Sequence, residues 1–284
     1  MILLDGKHVS EQRNLELKDK IEVAKAIYHR PPKLSLVLVG DHPASLSYVR
    51  GKRRASKLVG MESDTHLLPE NTTPETLREL ITNLNQDETV DGILLQLPLP
   101  KHLDEDEFIN LISKDKDTDG FHVVNQGNLY QTKPTVHPAT PKGIMTLIDT
   151  YNIDVKGMHA VIVGRSAIVG FPVARLLMDR GATITVCHSK TKDLTYHTKQ
   201  ADLIVMAVGR PELLTKDMVK DGVIVIDVGI NRVDGKLVGD ANFDDLKDVA
   251  SYLTPVPGGV GPMTIHSVLE NTFELYLKHL KKDN

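Results

Sequence analysis

The chain has 284 residues, 40% of them hydrophobic and only 4% aromatic, so it is long enough for two domains whose cores consist mainly of aliphatic side chains. A formal net charge of -4, a pI near 6.3 and no basic block longer than KRR at 52–54 argue against nucleic acid, and a small molecule is the expected partner. The single cysteine, Cys187, cannot form an internal disulfide, which fits a reducing compartment.

The first half alternates helical and strand patterns, which predicts βαβ units and a parallel sheet. The predicted elements, in chain order, are a helix with Leu17, Ile21, Ala24 and Tyr28 on one face, a buried strand at 34–40, a helix from about 43 to 59, a short strand near 65–69, a helix capped by Thr73 and opened by Pro74, a strand at 92–97, and a helix from about 104 to 113.

Residues 115–142 are rich in Pro, Asp and Gly, which predicts a loop and a domain boundary near residue 140. Strands predicted at 159–164, 182–187, 202–208 and 223–228 then indicate a second parallel α/β unit. After the loop TPVPGGVGPMT comes a last amphipathic helix with Ile265, Val268, Leu269, Phe273 and Leu280, and the pattern does not say on which domain it packs.

These patterns predict neither a membrane protein nor a metal-binding protein. The N-terminal MILLDGKHV has too short an apolar run for a signal peptide, and no stretch reaches the about 18 consecutive apolar residues that cross a bilayer. The 12 histidines show no H-E-x-x-H spacing, and there is no C-x-x-C pair, so no metal site is predicted. We expect a cytoplasmic protein with no membrane partner.

A glycine-rich turn opens the second half. The segment HAVIVGRSAIVGFPVARLL (159–177) has the strand, turn and helix start of a dinucleotide-binding loop, although Ser166 replaces the second glycine of G-x-G-x-x-G and Gly170 comes one residue late. Pro172 suits the first turn of a helix, whose N-terminus can bind an anion. The context favours a nucleotide site, and the alternative is a tight strand-to-helix turn without a ligand.

The next strand indicates which nucleotide. An NAD site usually carries Asp or Glu about 20 residues beyond the glycines to bind the ribose 2′-hydroxyl, whereas VCHSKT at 186–191 has no carboxylate. Ser189, Lys190 and Arg165 could all donate hydrogen bonds to a 2′-phosphate. Judged alone, Arg165 is equally well explained as a solvated loop cation.

A lysine interrupts an apolar stripe in the helix predicted at 43–59. Tyr48, Lys52, Ala55 and Val59 share one face at the helical repeat of about 3.6 residues per turn. Lys52 could extend its ammonium group to water while its stem packs. Alternatively it is partly desolvated, with a pKa lowered enough for proton exchange near neutrality.

Two further polar residues stand out in the first half. Gln96 ends an apolar strand, where a buried amide needs partners. Asp119 lies in the turn D-T-D-G, where an aspartate most often bonds its own backbone. Loops at the carboxyl ends of parallel strands are nevertheless where such sheets bind ligands.

Eight ordered segments together resemble the bifunctional methylenetetrahydrofolate dehydrogenase/cyclohydrolase family, often called FolD. They span nearly the whole chain and are SYVRGKRRA, DGILLQLPLP, KDTDGFH, HPATPKGI, VIVGRSAIVGFPVA, TVCHSKT, VIDVGIN and TPVPGGVGPMT. In that family the dinucleotide loop reads G-R-S-x-I-V-G-x-P. The resemblance implies NADP as the cofactor, held by Gly164, Arg165, Ser166 and Ser189, with Ile230 close to the nicotinamide.

The same resemblance implies roles for the polar residues of the first half. Lys52 would be the central catalytic residue and Gln96 its partner. Tyr48 would be the ring against which the pterin stacks. Asp119 would recognise the pterin's amino and ring N–H groups, because an ionised carboxylate accepts two parallel hydrogen bonds from such an edge.

The resemblance also implies a fold, a reaction and an assembly. The expected fold is α/β, with two parallel-sheet domains and a cleft between them: a folate-binding domain of residues 1–140 plus 265–284 and a Rossmann-type NADP-binding domain of residues 141–264. 5,10-Methylenetetrahydrofolate would be oxidised to the methenyl cation, which is then hydrolysed to 10-formyltetrahydrofolate, in the one-carbon metabolism that serves purine and amino-acid biosynthesis. A homodimer is implied as well.

Two departures and three alternatives accompany this interpretation. Ala139 stands where the family often has Cys, and Thr118 where it more often has Val; neither change is expected to alter the chemistry or to move Asp119. The alternatives are a dehydrogenase without hydrolase activity, a shikimate-dehydrogenase-like oxidoreductase, and a catalytically dead NADP-sensing protein. The last would retain GRSAIVG but lose Lys52.

Overall fold

The structure is a computed structural model that describes residues 1–282. The helices are α1 (Gly6–Tyr28), α2 (Pro43–Leu58), α3 (Pro74–Gln86), α4 (Glu105–Leu111), α5 (Val123–Tyr130), α6 (Ala139–Thr150), α7 (Gly170–Asp179), α8 (Leu194–Thr198), α9 (Phe243–Leu246) and α10 (Val260–Lys282). The strands are β1 (Ile2–Leu3), β2 (Lys33–Val39), β3 (Glu62–Leu68), β4 (Gly92–Leu95), β5 (His159–Val163), β6 (Thr183–Cys187), β7 (Leu203–Met206), β8 (Ile224–Asp227), β9 (Asn231–Val233), β10 (Lys236–Val238) and β11 (Tyr252–Leu253).

The chain divides into two compact units. Residues 12–139 and the segment from 265 onward form one, named here the Lys52 unit, and residues 1–11 and 140–264 form the other, the Gly164 unit. From the sequence, residues 1–11 are expected in the first domain. They lie in the Gly164 unit instead, because β1 pairs in parallel with β11 and the N–H of Leu4 donates to the carbonyl of Leu253 at 2.9 Å.

The Lys52 unit is built on a three-stranded parallel sheet in the order β3-β2-β4. Strand β2 is buried from Leu34 to Val39 because both of its faces are covered. Leu34, Leu36 and Leu38 pack in a cluster with residues of α1, α2 and α10. Val37 and Val39 join the opposite cluster with residues of α3 and α4. The last helix therefore contributes to the core of the Lys52 unit, which the sequence pattern left open.

The Gly164 unit has a six-stranded parallel sheet in the order β1-β11-β8-β7-β5-β6. The chain passes from β5 outward to β6 and then returns to β7 on the other side of β5. This reversal makes the carboxyl ends of β5 and β7 the topological switch point, where open α/β sheets bind ligands.

Besides β1, the regions that differ from the sequence-based prediction include two more. The segment predicted as loop at 115–142 contains α5, whose N-terminus is capped by His122, with the N–H of Val124 donating to its ring Nδ1 at 3.0 Å. A histidine cap and only two buried positions, Asn125 and Leu129, leave little helical pattern in the sequence. The antiparallel hairpin of β9 and β10 was also not predicted.

Candidate active site

Lys52 is buried, with 5% of its surface exposed. Helix α2 presents it from the same face as Ala55 and Val59, which lie in the hydrophobic core. Its ammonium Nζ donates a hydrogen bond to Oε1 of Gln96 at 3.1 Å instead of reaching water. The structure therefore favours the desolvated lysine over the lysine that extends to solvent.

Gln96 lies directly after β4, and hydrogen bonds hold both its side-chain amide and its backbone. Its Nε2 donates to the carbonyl of Leu97 at 2.9 Å, and its backbone N–H donates to the carbonyl of Val37 at 2.8 Å. A lysine ammonium has only donors, so the amide oxygen must be the atom that faces Lys52. Gln96 thus positions the end of the Lys52 side chain.

Lys52 and Asp119 perturb one another electrostatically. Burial lowers the pKa of Lys52, and the negative charge of Asp119 opposes that effect. Burial raises the pKa of Asp119, the positive charge of Lys52 opposes the rise, and the charge of Asp117 adds to it. Such a pair, with both groups shifted toward neutrality by desolvation, is the arrangement that supports proton exchange.

Asp117, and not Asp119, makes the hydrogen bonds of the D-T-D-G turn. Its carboxylate accepts from the N–H groups of Gly120 at 3.0 Å and His122 at 2.9 Å, and from Nδ2 of Asn125 at 2.9 Å. The turn-aspartate role that the sequence allowed for Asp119 is therefore filled by its neighbour. The carboxylate of Asp119 remains half-buried beside Lys52.

The turn itself is anchored to β4 and α10. Thr118 is buried, and its hydroxyl donates to the carbonyl of Ile93 at 3.1 Å, so a threonine is accommodated where the family more often has valine. Nδ2 of Asn271, from α10, donates to the carbonyl of Thr118 at 2.8 Å. Sequence reasoning missed Asn271, although a polar residue within the apolar pattern of the last helix was a usable signal.

Tyr48 lies one helical turn before Lys52 and is half-buried. Burial raises the pKa of its phenol, so the ring stays neutral at physiological pH. An aromatic ring on the same helix face as a buried lysine can provide a stacking surface for a flat ligand.

The glycine turn after β5 has a steric explanation for both of its glycines. Gly164 has φ +128°, and a Cβ there would stand 2.2 Å from the carbonyl oxygen of Ala207. A Cβ on Gly170 would stand 2.2 Å from the carbonyl oxygen of Gly164. The late glycine is thus required where the first turn of α7 packs against the loop.

Ser166 replaces the missing glycine with a specific function. Its Oγ accepts hydrogen bonds from the N–H groups of Val169 at 3.1 Å and Gly170 at 3.3 Å, at the start of α7. A hydroxyl that satisfies free N–H groups at a helix start stabilises the helix, as in an N-cap. The loop is therefore an ordered variant of the dinucleotide turn.

The other predicted binding residues are accessible at the carboxyl edge of the six-stranded sheet. Arg165 follows β5, Ser189 and Lys190 follow β6, and the side chains of all three are exposed. Ile230, after β8, is 45% exposed despite being apolar. A set of uncharged and cationic donors without a carboxylate at the end of β6 suits a dinucleotide with a 2′-phosphate.

Residues 1–282 contain neither a metal-binding cluster nor a membrane-spanning helix. Within this range no group of three or more His, Cys, Asp and Glu side chains is placed to hold a metal ion. No helix in the same range is long and apolar enough to cross a membrane.

The fold and the two sites define a class of protein. A parallel, doubly wound sheet with a glycine turn at its switch point is characteristic of dinucleotide-binding proteins, and a buried lysine with an amide and a carboxylate is a site for proton transfer. The class is a dinucleotide-binding α/β protein with a candidate acid-base site.

Comparison with known families identifies the particular enzyme. Residues 4–119 match the tetrahydrofolate dehydrogenase/cyclohydrolase catalytic domain, and residues 138–280 match the NAD(P)-binding domain of the same family. The chain belongs to this family and is a bifunctional dehydrogenase and cyclohydrolase of tetrahydrofolate interconversion. The predictions of the family, the α/β fold class and the bifunctional enzyme are confirmed.

Individual relatives align along nearly their whole length. The bifunctional protein FolD of Exiguobacterium sibiricum is 53% identical over 274 residues, covering 96% of this chain and 98% of the relative. The crystal structure of the Campylobacter jejuni bifunctional enzyme is 49% identical with a TM-score of 0.96, covering 98% and 99% of the two chains. The Trypanosoma brucei enzyme, solved with NADP and an inhibitor, is 35% identical with a TM-score of 0.95, covering 99% and 98%.

Proposed function

We propose that the cluster of Tyr48, Lys52, Gln96 and Asp119 binds the pterin of the folate and carries out the proton transfers of the cyclohydrolase reaction. The observation that carries this proposal is the burial of Lys52, whose ammonium contacts Gln96 at 3.1 Å and interacts with the charge of Asp119. We assign folate binding to the Lys52 unit and cofactor binding to the Gly164 unit.

The cofactor is NADP. The match to an NAD(P)-binding domain and the NADP complex of the Trypanosoma brucei relative support this assignment. Gly164 and Ser166 shape the loop, Arg165 and Ser189 donate hydrogen bonds to the 2′-phosphate, and Ile230 covers the nicotinamide end. The exposed donors and the missing carboxylate at 186–191 fit a 2′-phosphate better than a free 2′-hydroxyl.

The dehydrogenase step depends on the orientation of the folate more than on proton transfer. NADP held by Gly164, Arg165, Ser166 and Ser189 would supply the hydride acceptor for the methylene carbon of 5,10-methylenetetrahydrofolate, whose oxidation gives the methenyl cation. Tyr48 stacks on the pterin, and Asp119 accepts hydrogen bonds from its N–H edge, so that the reacting carbon is held in one orientation. No side chain has to gain or lose a proton in this step.

The cyclohydrolase step depends on Lys52. Water adds to the methenyl carbon and loses one proton, which gives a neutral carbinolamine. The carbon–nitrogen bond to N5 then breaks as that nitrogen is protonated, and the remaining hydroxyl proton is released to solvent as the formyl C=O forms, which yields 10-formyltetrahydrofolate. Neutral Lys52 accepts the proton from the water, and its ammonium form returns a proton to the leaving nitrogen. Burial makes the neutral form accessible, and Asp119 stabilises the ammonium form between the two transfers.

The assembly and location follow from the family resemblance and the sequence. We infer a homodimer in the cytoplasm with no nucleic-acid partner, supported by the single cysteine, the acidic pI and the absence of a long basic block.

The test is a coupled assay with 5,10-methylenetetrahydrofolate and either NADP or NAD, in which NADPH and methenyl absorbance are followed together. We expect NADP to be preferred, and we expect the methenyl signal to decay into 10-formyltetrahydrofolate. Accumulation of a stable methenyl product would instead indicate a dehydrogenase without hydrolase activity, and equal use of NAD would overturn the cofactor assignment.

A further inference from the structure

Asp240 is fully buried and connects two loops at the carboxyl edge of the six-stranded sheet. Its Oδ2 accepts hydrogen bonds from the N–H groups of Val208 at 2.7 Å and Gly209 at 2.9 Å, in the loop after β7. Its Oδ1 accepts from Nδ2 of Asn231 at 2.9 Å, in the segment after β8. A single carboxylate thus ties together the two chain segments that leave neighbouring strands.

A second buried carboxylate supports the first. Asp227 ends β8 and is 3% exposed. Its Oδ1 accepts from the N–H groups of Gly229 at 2.8 Å and Asp240 at 3.0 Å, and its Oδ2 accepts from the N–H of Ala241 at 2.8 Å. Asp227 therefore holds the backbone of Asp240 in the place from which its side chain reaches the loops.

Two glycines make this close approach possible. A Cβ on Gly229 would stand 2.3 Å from Oδ1 of Asp240, and a Cβ on Gly239 would stand 1.9 Å from Oδ2 of Asp227. Neither glycine has a positive φ, so backbone conformation does not require them. Glycine is required at both positions because the carboxylates of Asp240 and Asp227 occupy the space that a Cβ would need.

Stability alone does not explain this arrangement. Neither Asp227 nor Asp240 forms an ion pair with a basic side chain in residues 1–282. Burial raises the pKa of Asp227 to about 6, against the opposing effect of the N–H groups that bond it and with a smaller contribution from the charge of Asp240. Burying two like charges without a cation is costly, and apolar side chains would pack at a lower cost. The arrangement instead provides loops held by hydrogen bonds with little freedom to move.

We infer that Asp240, held by Asp227, is a positioning residue for the nicotinamide end of the cofactor. The inference rests on the proposed function, because it takes Ile230 to lie beside the nicotinamide. Ile230 stands between Gly229, which bonds Asp227, and Asn231, which bonds Asp240. Since both neighbours are fixed, the backbone of the exposed Ile230 is held in place after β8, and the loop of Val208 and Gly209 is bonded to the same carboxylate.

The test replaces the charge with a neutral group of the same shape, in Asp240→Asn. The introduced side-chain amide has a single oxygen, which can accept either from the N–H groups of Val208 and Gly209 or from Asn231. Its Nδ2 then faces a donor on the other side, where no hydrogen bond can form. The matched control is Asp244→Asn, because Asp244 is an exposed carboxylate of the same segment whose ion pair within residues 1–282 is with Lys247.

Three measurements are compared in wild type, variant and control. In the protein without cofactor, the amide hydrogens of Val208 and Gly209 should exchange at least about tenfold faster in Asp240→Asn, while those of the β7 interior remain unchanged. NADP should bind about 10- to 100-fold more weakly, the loss expected from one or two hydrogen bonds to a charged group. Adenosine 2′,5′-bisphosphate, which lacks the nicotinamide half, should bind as it does to wild type.

Either of two outcomes overturns the inference. Unchanged NADP affinity would show that the loops do not depend on Asp240, and an equal loss for adenosine 2′,5′-bisphosphate would show a general distortion of the unit. If Asp240→Asn does not fold, Asn231→Ala removes only one of the three bonds and should give a smaller loss with the same selectivity for NADP. If wild type binds neither compound, the proposed function fails, which is distinguishable from failure of the positioning role.

Discussion

The two candidate sites differ in whether their charged and polar groups are buried or exposed. In the Lys52 unit a lysine and an aspartate are desolvated together, and burial shifts the pKa of each toward the neutral form. In the Gly164 unit the residues assigned to cofactor binding are exposed, and two glycines and a capping serine set the shape of the loop. A site that exchanges protons needs low polarity, whereas a site that binds a dianionic phosphate needs accessible donors.

The largest expected effect is that of Lys52→Met, which keeps the length and packing of the stem but removes the ammonium group. General acid-base assistance is worth roughly 10² to 10⁴ in rate, and we expect the cyclohydrolase step to lose that much. The dehydrogenase step should lose distinctly less, so that methenyl product accumulates.

Both rates should be measured on one folded preparation of Lys52→Met. Equal losses in the two steps would mean that Lys52 only positions the folate. A negligible loss in hydrolysis would remove it from the chemistry altogether. The neighbouring Lys57→Met provides the control, because Lys57 is exposed on the opposite face of α2.

A second expected effect concerns folate affinity. Asp119→Ala leaves the pterin donors without partners, each lost charge-assisted bond being worth about 1.5–3 kcal/mol, so the KM for folate should rise while NADP affinity stays unchanged. Steady-state kinetics and a separate titration with NADP check this. Asp115→Ala, in the same loop but exposed, should leave both constants unchanged. Unfolding of the Asp119 variant would return the residue to a structural role.

Arg165→Ala tests the exposed cofactor site proposed in the Gly164 unit. Loss of a charge-assisted bond to the 2′-phosphate should weaken NADP binding by about 1.5–3 kcal/mol and leave NAD binding nearly unchanged. Calorimetric titration with both cofactors measures the difference. Arg180→Ala, at the far end of α7, removes an exposed ion pair with Asp149 and serves as the control. Equal losses for the two cofactors would exclude the phosphate contact.

Ser166→Ala and Ser189→Ala separate loop shape from ligand contact. Ser166 accepts two N–H bonds at the start of α7, so its removal should lower the free energy of unfolding by about 0.5–2 kcal/mol. Ser189 is exposed, and Ser189→Ala should weaken NADP binding without that loss of stability. Denaturant unfolding of both variants provides the comparison, and identical unfolding curves for the two would contradict it.

The smallest effect is a shift in pH dependence. Asp119 raises the pKa of Lys52, so Asp119→Asn should lower that pKa further. The neutral form of Lys52 then persists to lower pH, and the acidic limb of the pH profile for methenyl hydrolysis should move to lower pH. Profiles of kcat at saturating folate measure it, with Asp115→Asn as the control. A shift to higher pH, or no shift, would separate Asp119 from the titration of Lys52.

Much of the fold was predictable because its signals are local. The strands β2, β5, β7 and β8 lie in short, mostly apolar runs. Thr73 caps α3 as predicted, with its hydroxyl accepting from the N–H of Thr76 at 3.3 Å, and Pro74 opens that helix. The helix α5 was missed because its cap is a histidine and few of its residues are buried. The strand β1 was missed because two residues carry no periodicity, and only pairing with β11 defines them.

The sequence by itself determined the residue types, their order and the family, because eight motifs in order leave little room for another reading. Tertiary structure decided which of two similar residues hydrogen-bonds the turn and which one lies in the candidate site. In D-T-D-G either aspartate could have bonded the turn, and only the fold shows that Asp117 does so while Asp119 stays beside Lys52. Whether Lys52 reaches water depends on what α2 packs against. Burial and its effect on pKa arise from residues distant in sequence, which no local pattern contains.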